Sequence, residues 1–180
     1  MKNDAMHGTT ILAVRMPKGS AIGGDGQVTL GESIIKANAK KIRKLADGKV
    51  IVGFAGATAD AFALLERFEQ KLAATQASTL KAAVALAKEW RTDRVLQRLN
   101  AFLVIMDHDT LVLLSGTGDI VEPDDGIIAV GSGGNVALAA ARAFIAAGMT
   151  DPAQIVEKSL AIASDICIYT NHNFTVEVIK

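Results

Sequence analysis

The sequence predicts an α+β fold: a four-layer α–β–β–α sandwich in which helices flank two stacked antiparallel sheets. Two segments, IVGFAGATADAFALLERF and IIAVGSGGNVALAAARAF, each place an apolar strand, small residues and an amphipathic helix in the same order. A second helix is predicted after each of these helices, and short strands separate the two pairs. Because each helix pair needs an apolar sheet face to cover, we expect two covered sheets that stack on each other.

The first 56 residues alternate extended runs with turn signals. TTILAVRM, which begins at Thr9, predicts a strand that ends at the turn PKG, and SAIGG predicts a second strand that ends at the turn DG. VTLG and SIIKA predict two more short strands. After the basic run AKKIRK, another DG turn leads into a buried strand, KVIVGFA.

Two helices are predicted after Gly56. The first places Ala61, Leu64, Leu65, Phe68 and Leu72 on one face. The second is predicted from about Leu80 to Leu99, with Val84, Ala87, Trp90 and Val95 as its apolar residues.

The rest of the chain repeats this alternation of strands and helices. Residues 102–106 and 111–115 predict a hairpin around the turn DHD, and 127–130 predict a buried strand that leads through GSGG into an Ala-rich helix. Asp151-Pro152 predicts the start of a fourth helix, because proline suits a first turn. Residues 174–179 predict the last strand.

Composition limits the classes of function. A chain of 180 residues is long enough for one domain with a sizeable core. Lys plus Arg and Asp plus Glu are 19 each, which argues against a nucleic-acid or anionic-membrane partner and favours self-association. The single cysteine excludes an internal disulfide and a cysteine-based zinc site, so a reducing cytoplasmic setting is expected.

Common enzyme motifs are missing from the sequence. There is no phosphate loop, and GSGG departs from a dinucleotide fingerprint because Val136 stands at the third glycine position. His7, His108 and His172 have no spacing that indicates a metal site or a Ser-His-Asp triad.

Thr9 is the residue on which the functional hypothesis depends. At the start of a strand, a threonine is ordinarily just a β-favouring residue. If cleavage after Gly8 made it N-terminal, Thr9 would carry both a hydroxyl nucleophile and an α-amine to activate it. The α-amino pKa is about 7.7–8.0 in unperturbed peptides, which suits a general base. The residues alone leave both interpretations open.

Several blocks of the chain resemble the HslV (ClpQ) family. They are GTTILAVRMPKGSAIGGDGQVTLG, which begins at Gly8, and then NAKKIRKL, VIVGFAGATADAF, KEWRTDRVLQRL, IAVGSGGN and DICIYTNHN. They follow the family's order and span nearly all of the chain after Gly8. This family comprises peptidases of bacterial two-component ATP-dependent proteases, which are relatives of proteasome β subunits with the N-terminal-nucleophile hydrolase fold.

The resemblance implies a role for each matching residue. Thr9 matches the catalytic threonine, Asp25 the aspartate that orients the site, and Lys41 the lysine whose charge favours deprotonated partners. Without the resemblance, Asp25 would be interpreted as an ordinary turn residue and Lys41 as part of a solvated basic face.

Four further residues match supporting positions of the family's site. Gly53 matches the glycine whose N–H stabilises the oxyanion, and Ser132 matches a serine near the threonine's amine. Val28 and Thr29 match the strand edge along which an extended peptide pairs. Ordinary interpretations are close strand packing for Gly53 and a small turn residue for Ser132.

The resemblance also implies a monovalent cation, expected to be sodium. Its ligands would be backbone carbonyls in the segment that corresponds to Ser164, Cys167 and Thr170. Serine stands at position 164 where the family usually has glycine. Carbonyl ligation tolerates many side chains, but a backbone geometry open only to glycine would be lost.

Residues 1–8 are expected to be a leader that autolysis removes, which leaves 9–180 as a single peptidase domain. Whether translation begins at Met1 or Met6, the next residue is bulky (Lys2 or His7), so simple methionine removal would not expose Thr9. We therefore expect the Thr9 hydroxyl to attack the carbonyl of Gly8.

The resemblance implies a threonine endopeptidase that degrades unfolded polypeptides in hexameric rings stacked as a dodecamer. Without a nucleotide motif here, ATP would be used by a partner, the AAA+ unfoldase HslU (ClpY), which would also switch the peptidase on. Two alternatives stay open: an N-terminal-nucleophile amidase of small molecules, and an inactive ring subunit like the proteasome α chains.

Overall fold

The computed structural model describes residues 6–7, 9–56, 58–76, 78–94, 96–99 and 101–179. The strands are β1 (Met6–His7), β2 (Thr10–Met16), β3 (Gly19–Gly24), β4 (Val28–Leu30), β5 (Ser33–Lys36), β6 (Ile42–Leu45), β7 (Val50–Gly56), β8 (Ala101–Met106), β9 (Leu111–Leu114), β10 (Ile120–Val121), β11 (Ile127–Gly131) and β12 (Thr175–Ile179). The helices are α1 (Thr58–Ala74), α2 (Thr79–Thr92), α3 (Gly134–Ala146) and α4 (Pro152–Ile166).

The strands form two large antiparallel sheets and one small one. The larger sheet has the order β10-β9-β8-β7-β6, and the second has the order β11-β2-β3-β12. The small sheet, β1-β4-β5, is also antiparallel. The first two predicted strands are β2 and β3, which pair at the centre of their sheet. The site described below lies at the start of β2 and the end of β3.

Buried apolar side chains form three layers between these elements. One cluster lies between the larger sheet and the α1–α2 pair, with Phe68 and Trp90 among its fully buried members. A second cluster, which includes Ile11 and Ile51, fills the space between the two sheets. A third lies between the β2–β3 sheet and the α3–α4 pair. Three apolar layers separate four layers of secondary structure, which confirms the predicted α–β–β–α sandwich.

The sequence prediction for the second helix was wrong at its C-terminal end. α2 ends at Thr92, and Asp93 has an extended backbone with ψ of 118°. The Asp93 side chain accepts a hydrogen bond from the N–H of Leu96, and a short 3₁₀ helix follows over Leu96–Arg98. An aspartate that caps a new turn competes with continuation of the helix, which apolar periodicity does not reveal.

The other predicted elements are present, and α4 begins at Pro152 after a capping Asp151. Val95, which was predicted on the apolar face of the second helix, lies outside the described residues, as does the Ala61 side chain. No helix among the described residues is long and apolar enough to cross a membrane.

Candidate active site

Thr9 lies directly before β2, at the end of the sandwich where β2 and β11 pair. It is 8% exposed, and its carbonyl accepts a hydrogen bond from the Ser132 N–H at 2.9 Å. Gly131 makes this approach possible, because a Cβ at that position would lie 1.7 Å from the Thr9 oxygen. Its φ of +92° is also a conformation that favours glycine. Ser132 therefore meets Thr9 through its backbone, and its side chain is exposed.

Asp25 follows β3 and is 1% exposed. Its Oδ1 accepts hydrogen bonds from Lys41 Nζ at 2.8 Å and from the Thr10 N–H at 2.9 Å. Its Oδ2 accepts from the Gln27 N–H at 2.9 Å and from the Asn171 N–H at 3.3 Å. Each oxygen thus has two donors, and the carboxylate is fixed in orientation beside the residue that follows Thr9.

Lys41 immediately precedes β6, and its side chain is 4% exposed. Besides Asp25, its Nζ donates to the Gln27 carbonyl at 2.6 Å. Burial lowers the pKa of Lys41, while the charge and hydrogen bond of Asp25 act in the opposite direction. The ammonium group is therefore kept in a dry site by specific acceptors, and it loses its proton more readily than a solvated lysine does.

A second set of hydrogen bonds is made by the side chain of Thr10, the residue after Thr9. The Thr10 hydroxyl accepts from the Gly133 N–H at 2.9 Å and lies 2.8 Å from the Thr170 hydroxyl. Thr10, Gly133 and Thr170 are buried. These contacts join the start of β2 to the GSGG turn and to the segment between α4 and β12.

Gly53 lies within β7, and the direction of its N–H follows from the hydrogen bonds of the neighbouring residues. The Phe54 N–H donates to the Lys41 carbonyl on the β6 side of β7. Because successive N–H groups of a strand point to opposite sides, the Gly53 N–H faces β8, where Gly53 is in register with Val104. Its role at the oxyanion stays a prediction, but this N–H points away from the Lys41 backbone.

Gly56 was not predicted as a site residue, although it ends the same strand. By the same alternation its N–H faces the β6 side, two residues beyond Phe54. Gly56 is exposed and has a φ of +120°. The N–H of Gly56 thus lies on the same side of β7 as the Lys41 backbone.

The predicted substrate edge is paired in this structure with the segment before Thr9. Met6 and His7 of β1 lie opposite Leu30 and Thr29 of β4 in an antiparallel ladder. Thr29 is 3% exposed, and its hydroxyl accepts from Gln27 Nε2 at 3.0 Å. Gly8 and residues 1–5 lie outside the described residues. An extended peptide segment is therefore accommodated at the β4 edge.

The predicted cation ligands lie at the C-terminal end of α4 and in the segment after it. Ser164 is in the last turn of α4 and is helical, so serine there requires no glycine-specific conformation. The Cys167 carbonyl accepts from the Thr170 N–H at 3.0 Å. The carbonyl end of a helix carries partial negative charge, and hard oxygen donors suit a monovalent cation. The residues present therefore fit such a group.

The histidines of the described chain lie outside this constellation. His108 and His172 are exposed beside Asp109 and Asp165, and the described residues contain no cluster of three or more His, Cys, Asp or Glu side chains that suits a metal ion. The His7 side chain is not described.

Sequence reasoning predicted Thr9, Asp25 and Lys41 as site residues but did not single out the residues that bind Asp25. Thr10, Gln27 and Asn171 each donate a hydrogen bond to Asp25. Gln27 and Asn171 lie within the blocks GDGQ and TNHN that carry the family resemblance, which was the only signal available for them.

This combination of fold and site defines a class. Two stacked antiparallel sheets between helix pairs, with a threonine at the start of a central strand, form the sandwich of the N-terminal-nucleophile hydrolases. The proteasome subunit family model matches residues 5–179, and the chain belongs to that family.

Among solved structures, the chain is similar to eukaryotic HslV from Trypanosoma brucei. The match has a TM-score of 0.89 and 44% sequence identity, and it covers 95% of this chain and 99% of that chain. The chain is thus an HslV-like protease subunit of the proteasome β type, which confirms the resemblance found in the sequence.

Proposed function

We propose that this chain is a threonine endopeptidase subunit whose nucleophile is Thr9 after the leader, residues 1–8, has been removed. The observation that carries the proposal is the buried Lys41–Asp25 pair, at 2.8 Å, whose Asp25 Oδ1 also binds the N–H of the residue after Thr9. A scaffold subunit has no need of a desolvated ion pair at this position, since such pairs gain little stability over apolar packing.

The reaction begins with the Thr9 hydroxyl, and the free α-amine of Thr9 accepts its proton. Attack on a substrate carbonyl gives a tetrahedral oxyanion, which collapses to an ester on Thr9 Oγ as the amine product leaves with a proton. Water then hydrolyses the ester, with the α-amine again as base. The positive charge of Lys41 favours the negative charge that develops on the threonine oxygen.

We assign the oxyanion donor to the Gly56 N–H in preference to that of Gly53. The alternation along β7 supports Gly56, because it directs the Gly53 N–H into the ladder with β8. A preorganised backbone donor of this kind contributes roughly 3–4 kcal/mol to transition-state stabilisation.

Maturation uses the same nucleophile within the chain, before Thr9 has a free α-amine. The Thr9 hydroxyl attacks the Gly8 carbonyl, the Gly8–Thr9 C–N bond breaks as the Thr9 nitrogen takes up a proton, and Gly8 becomes an ester on Oγ. Water then cleaves that ester to release the leader, which leaves the α-amine free. Substrate then pairs with Val28 and Thr29 along the β4 edge, where β1 lies before cleavage. Its backbone hydrogen bonds bind many sequences, as an unfolded-protein substrate requires.

Assembly and partner are further parts of the proposal. We assign this chain to hexameric rings stacked as a dodecamer in the cytoplasm, activated by the AAA+ unfoldase HslU. Exposed apolar side chains support contacts with other chains. They include Ile34 (61% exposed), Ile35 (58%), Ile166 (64%) and Ile168 (80%).

A monovalent cation, expected to be sodium, is assigned to the carbonyls of Ser164, Cys167 and Thr170. When bound, it would supply positive charge that stabilises the end of α4 and the segment leading to Asn171. The chemical steps above are assigned to residues of this chain alone.

The test is degradation of an unfolded protein and of short peptides by the wild-type chain, Thr9→Ser and Thr9→Ala. We expect reduced activity in the serine variant, which keeps a hydroxyl, and none in the alanine variant. Degradation by Thr9→Ala would overturn the assignment of the nucleophile. Hydrolysis of small amides but not of peptides would favour the amidase alternative, and an inert wild-type chain with HslU and ATP would favour the inactive ring subunit.

A further inference from the structure

We propose that Asn171 is a positioning residue that holds the Asp25 turn, and through Asp25 the ammonium group of Lys41, in the geometry needed for catalysis. This inference rests on the proposed function, because it concerns the same site. Asn171 lies between α4 and β12, 146 residues from Asp25 along the chain.

Asn171 binds both sides of the Asp25 turn. Its N–H donates to Asp25 Oδ2 at 3.3 Å, and its side-chain Oδ1 accepts from the Gly26 N–H at 3.2 Å. Its Nδ2 donates to the Ala37 carbonyl at 2.8 Å. One residue thus bonds to the carboxylate, to the backbone of the turn and to the segment that packs against the turn.

That packing leaves the turn little room. A Cβ on Gly26 would lie 2.5 Å from the Ala37 oxygen and 2.9 Å from the Asn38 Cα, so two backbone segments are in direct contact there. Asn171 joins these segments with its side-chain oxygen and nitrogen. Removing its side chain would leave the Gly26 N–H without its acceptor.

The effect reaches the reactive groups through the rigid carboxylate. Asp25 Oδ2 is held partly by Asn171, and Oδ1 holds Lys41 Nζ and the Thr10 N–H. Loss of the restraint on the turn lets the carboxylate rotate, which moves its Oδ1 relative to Lys41. None of the hydrogen bonds of Asn171 involves the β4 edge where substrate is proposed to pair. We therefore expect Asn171 to influence kcat and not KM.

Asn171 is itself well anchored, which is what positioning requires. Its carbonyl accepts from the Ser164 hydroxyl of α4 at 2.9 Å. The neighbouring Thr170 hydroxyl lies 2.8 Å from that of Thr10. The segment therefore connects the end of α4 to the start of β2, and Asn171 extends from it to the Asp25 turn.

Asn173 provides a matched control. Its Nδ2 donates to the same Ala37 carbonyl at 2.8 Å, and its N–H donates to Asn171 Oδ1 at 3.1 Å. This side-chain hydrogen bond of Asn173 goes to Ala37 and not to Asp25 or Gly26. Asn173→Ala removes a similar amide from the same segment while the bonds of Asn171 to Asp25 and Gly26 remain.

The experiment compares the full chain with Asn171→Ala and Asn173→Ala in peptidase assays with a fluorogenic peptide, with HslU and ATP present in every assay. Rates are normalised by intact mass to the fraction of chains that begin at Thr9, because the variant could also slow maturation. We expect kcat of Asn171→Ala to fall roughly 10- to 100-fold with KM within about twofold, as for a small misplacement of catalytic groups. Asn173→Ala should keep nearly wild-type values. If Asn171→Ala does not fold, Asn171→Ser is used, with the same expectation.

Wild-type kcat in a folded Asn171 variant, or an equal loss in Asn173→Ala, would overturn the inference. A wild-type chain without Thr9-dependent peptidase activity would contradict the proposed function instead. Hydrogen exchange of the Gly26 amide in the same proteins then tests the hydrogen bond between Gly26 and Asn171 separately. Faster exchange only in the Asn171 variants supports the inference, and equal exchange in all three proteins overturns it.

Discussion

Two ion pairs of nearly equal length show how differently the two ends of the sandwich use charge. Lys41 and Asp25 lie 2.8 Å apart with side chains 4% and 0% exposed, whereas Arg142 and Asp125 lie 2.7 Å apart with side chains 57% and 40% exposed. The distance alone does not distinguish the two ion pairs. Their solvent exposure does, because an exposed pair is screened and contributes about 0.2–1 kcal/mol to stability. A buried pair must be fully hydrogen-bonded to be tolerated.

The buried pair meets that condition. Both oxygens of Asp25 have two donors each, and Lys41 Nζ also has the Gln27 carbonyl. The cost of burial remains visible in the lowered pKa of Lys41. Such an arrangement adds little to stability for its cost. It binds the N–H of the residue that follows Thr9, which supports the proposed catalytic role.

Substitutions that break the two ion pairs should show the largest difference in stability and activity between the two regions. Lys41→Met leaves the Asp25 carboxylate buried without its counter-ion, so we expect the free energy of unfolding to fall by roughly 3–5 kcal/mol. Peptidase activity should fall by at least about 100-fold, since the charge at the nucleophile is lost. Urea unfolding and peptide hydrolysis measure the two effects.

Arg142→Met is the control for that change, with an expected loss of less than about 1 kcal/mol and unchanged activity. Equal destabilisation by both substitutions would contradict the distinction between a buried, functional pair and a solvated one.

Two glycines with nearly the same backbone conformation also differ in their surroundings between the site and the rest of the molecule. Gly131 has φ of +92° and would place a Cβ 1.7 Å from the Thr9 oxygen, whereas Gly148 has φ of +91° and nothing within 4 Å of that position. Gly148→Ala should therefore cost only conformational strain, about 1 kcal/mol.

Gly131→Ala adds the clash, which must displace Thr9 or the GSGG turn. We expect a loss of activity of about 100-fold, as for a displaced catalytic group, besides the larger fall in stability. Thermal unfolding and peptide hydrolysis of both variants test this. If the two alanine proteins behave alike, Gly131 does not position Thr9.

Sequence patterns predicted the layers well because strands and amphipathic helices are local features, and Leu64, Phe68 and Trp90 lie in the core as expected. They failed at Asp93, where one capping side chain ends α2. The hydrogen bonds that connect the site residues could not be predicted from sequence patterns. Asn171 meets Asp25 only because α4, β12 and β3 pack together, and no local periodicity encodes a contact across 146 residues.

The pH dependence of peptide hydrolysis should reflect the burial of Lys41. If the Thr9 amine must be neutral, activity rises with pH through the pKa of that amine, which is about 7.7–8.0 when unperturbed. If Lys41 must be charged, activity falls again at a pKa below the ordinary lysine value of about 10.4. Between that lowered value and about 10.4 the unfolded chain binds more protons, so the contribution of Lys41 to stability rises with pH.

A rate profile measured from pH 6 to 11 on wild type and Lys41→Arg checks this. Arginine stays charged throughout this pH range, so the alkaline fall should disappear in the variant if it retains activity. An alkaline fall that is the same in both proteins would belong to another group.

The most direct measurement is the intact mass of the purified wild-type chain and of Thr9→Ala, each paired with peptidase activity. We expect the wild-type chain to begin at Thr9 and to be active, and Thr9→Ala to keep residues 1–8 and to be inactive. An active wild-type chain that retains its leader, or a Thr9→Ala chain that begins at residue 9 without an added protease, would contradict Thr9 as the autolytic and catalytic nucleophile.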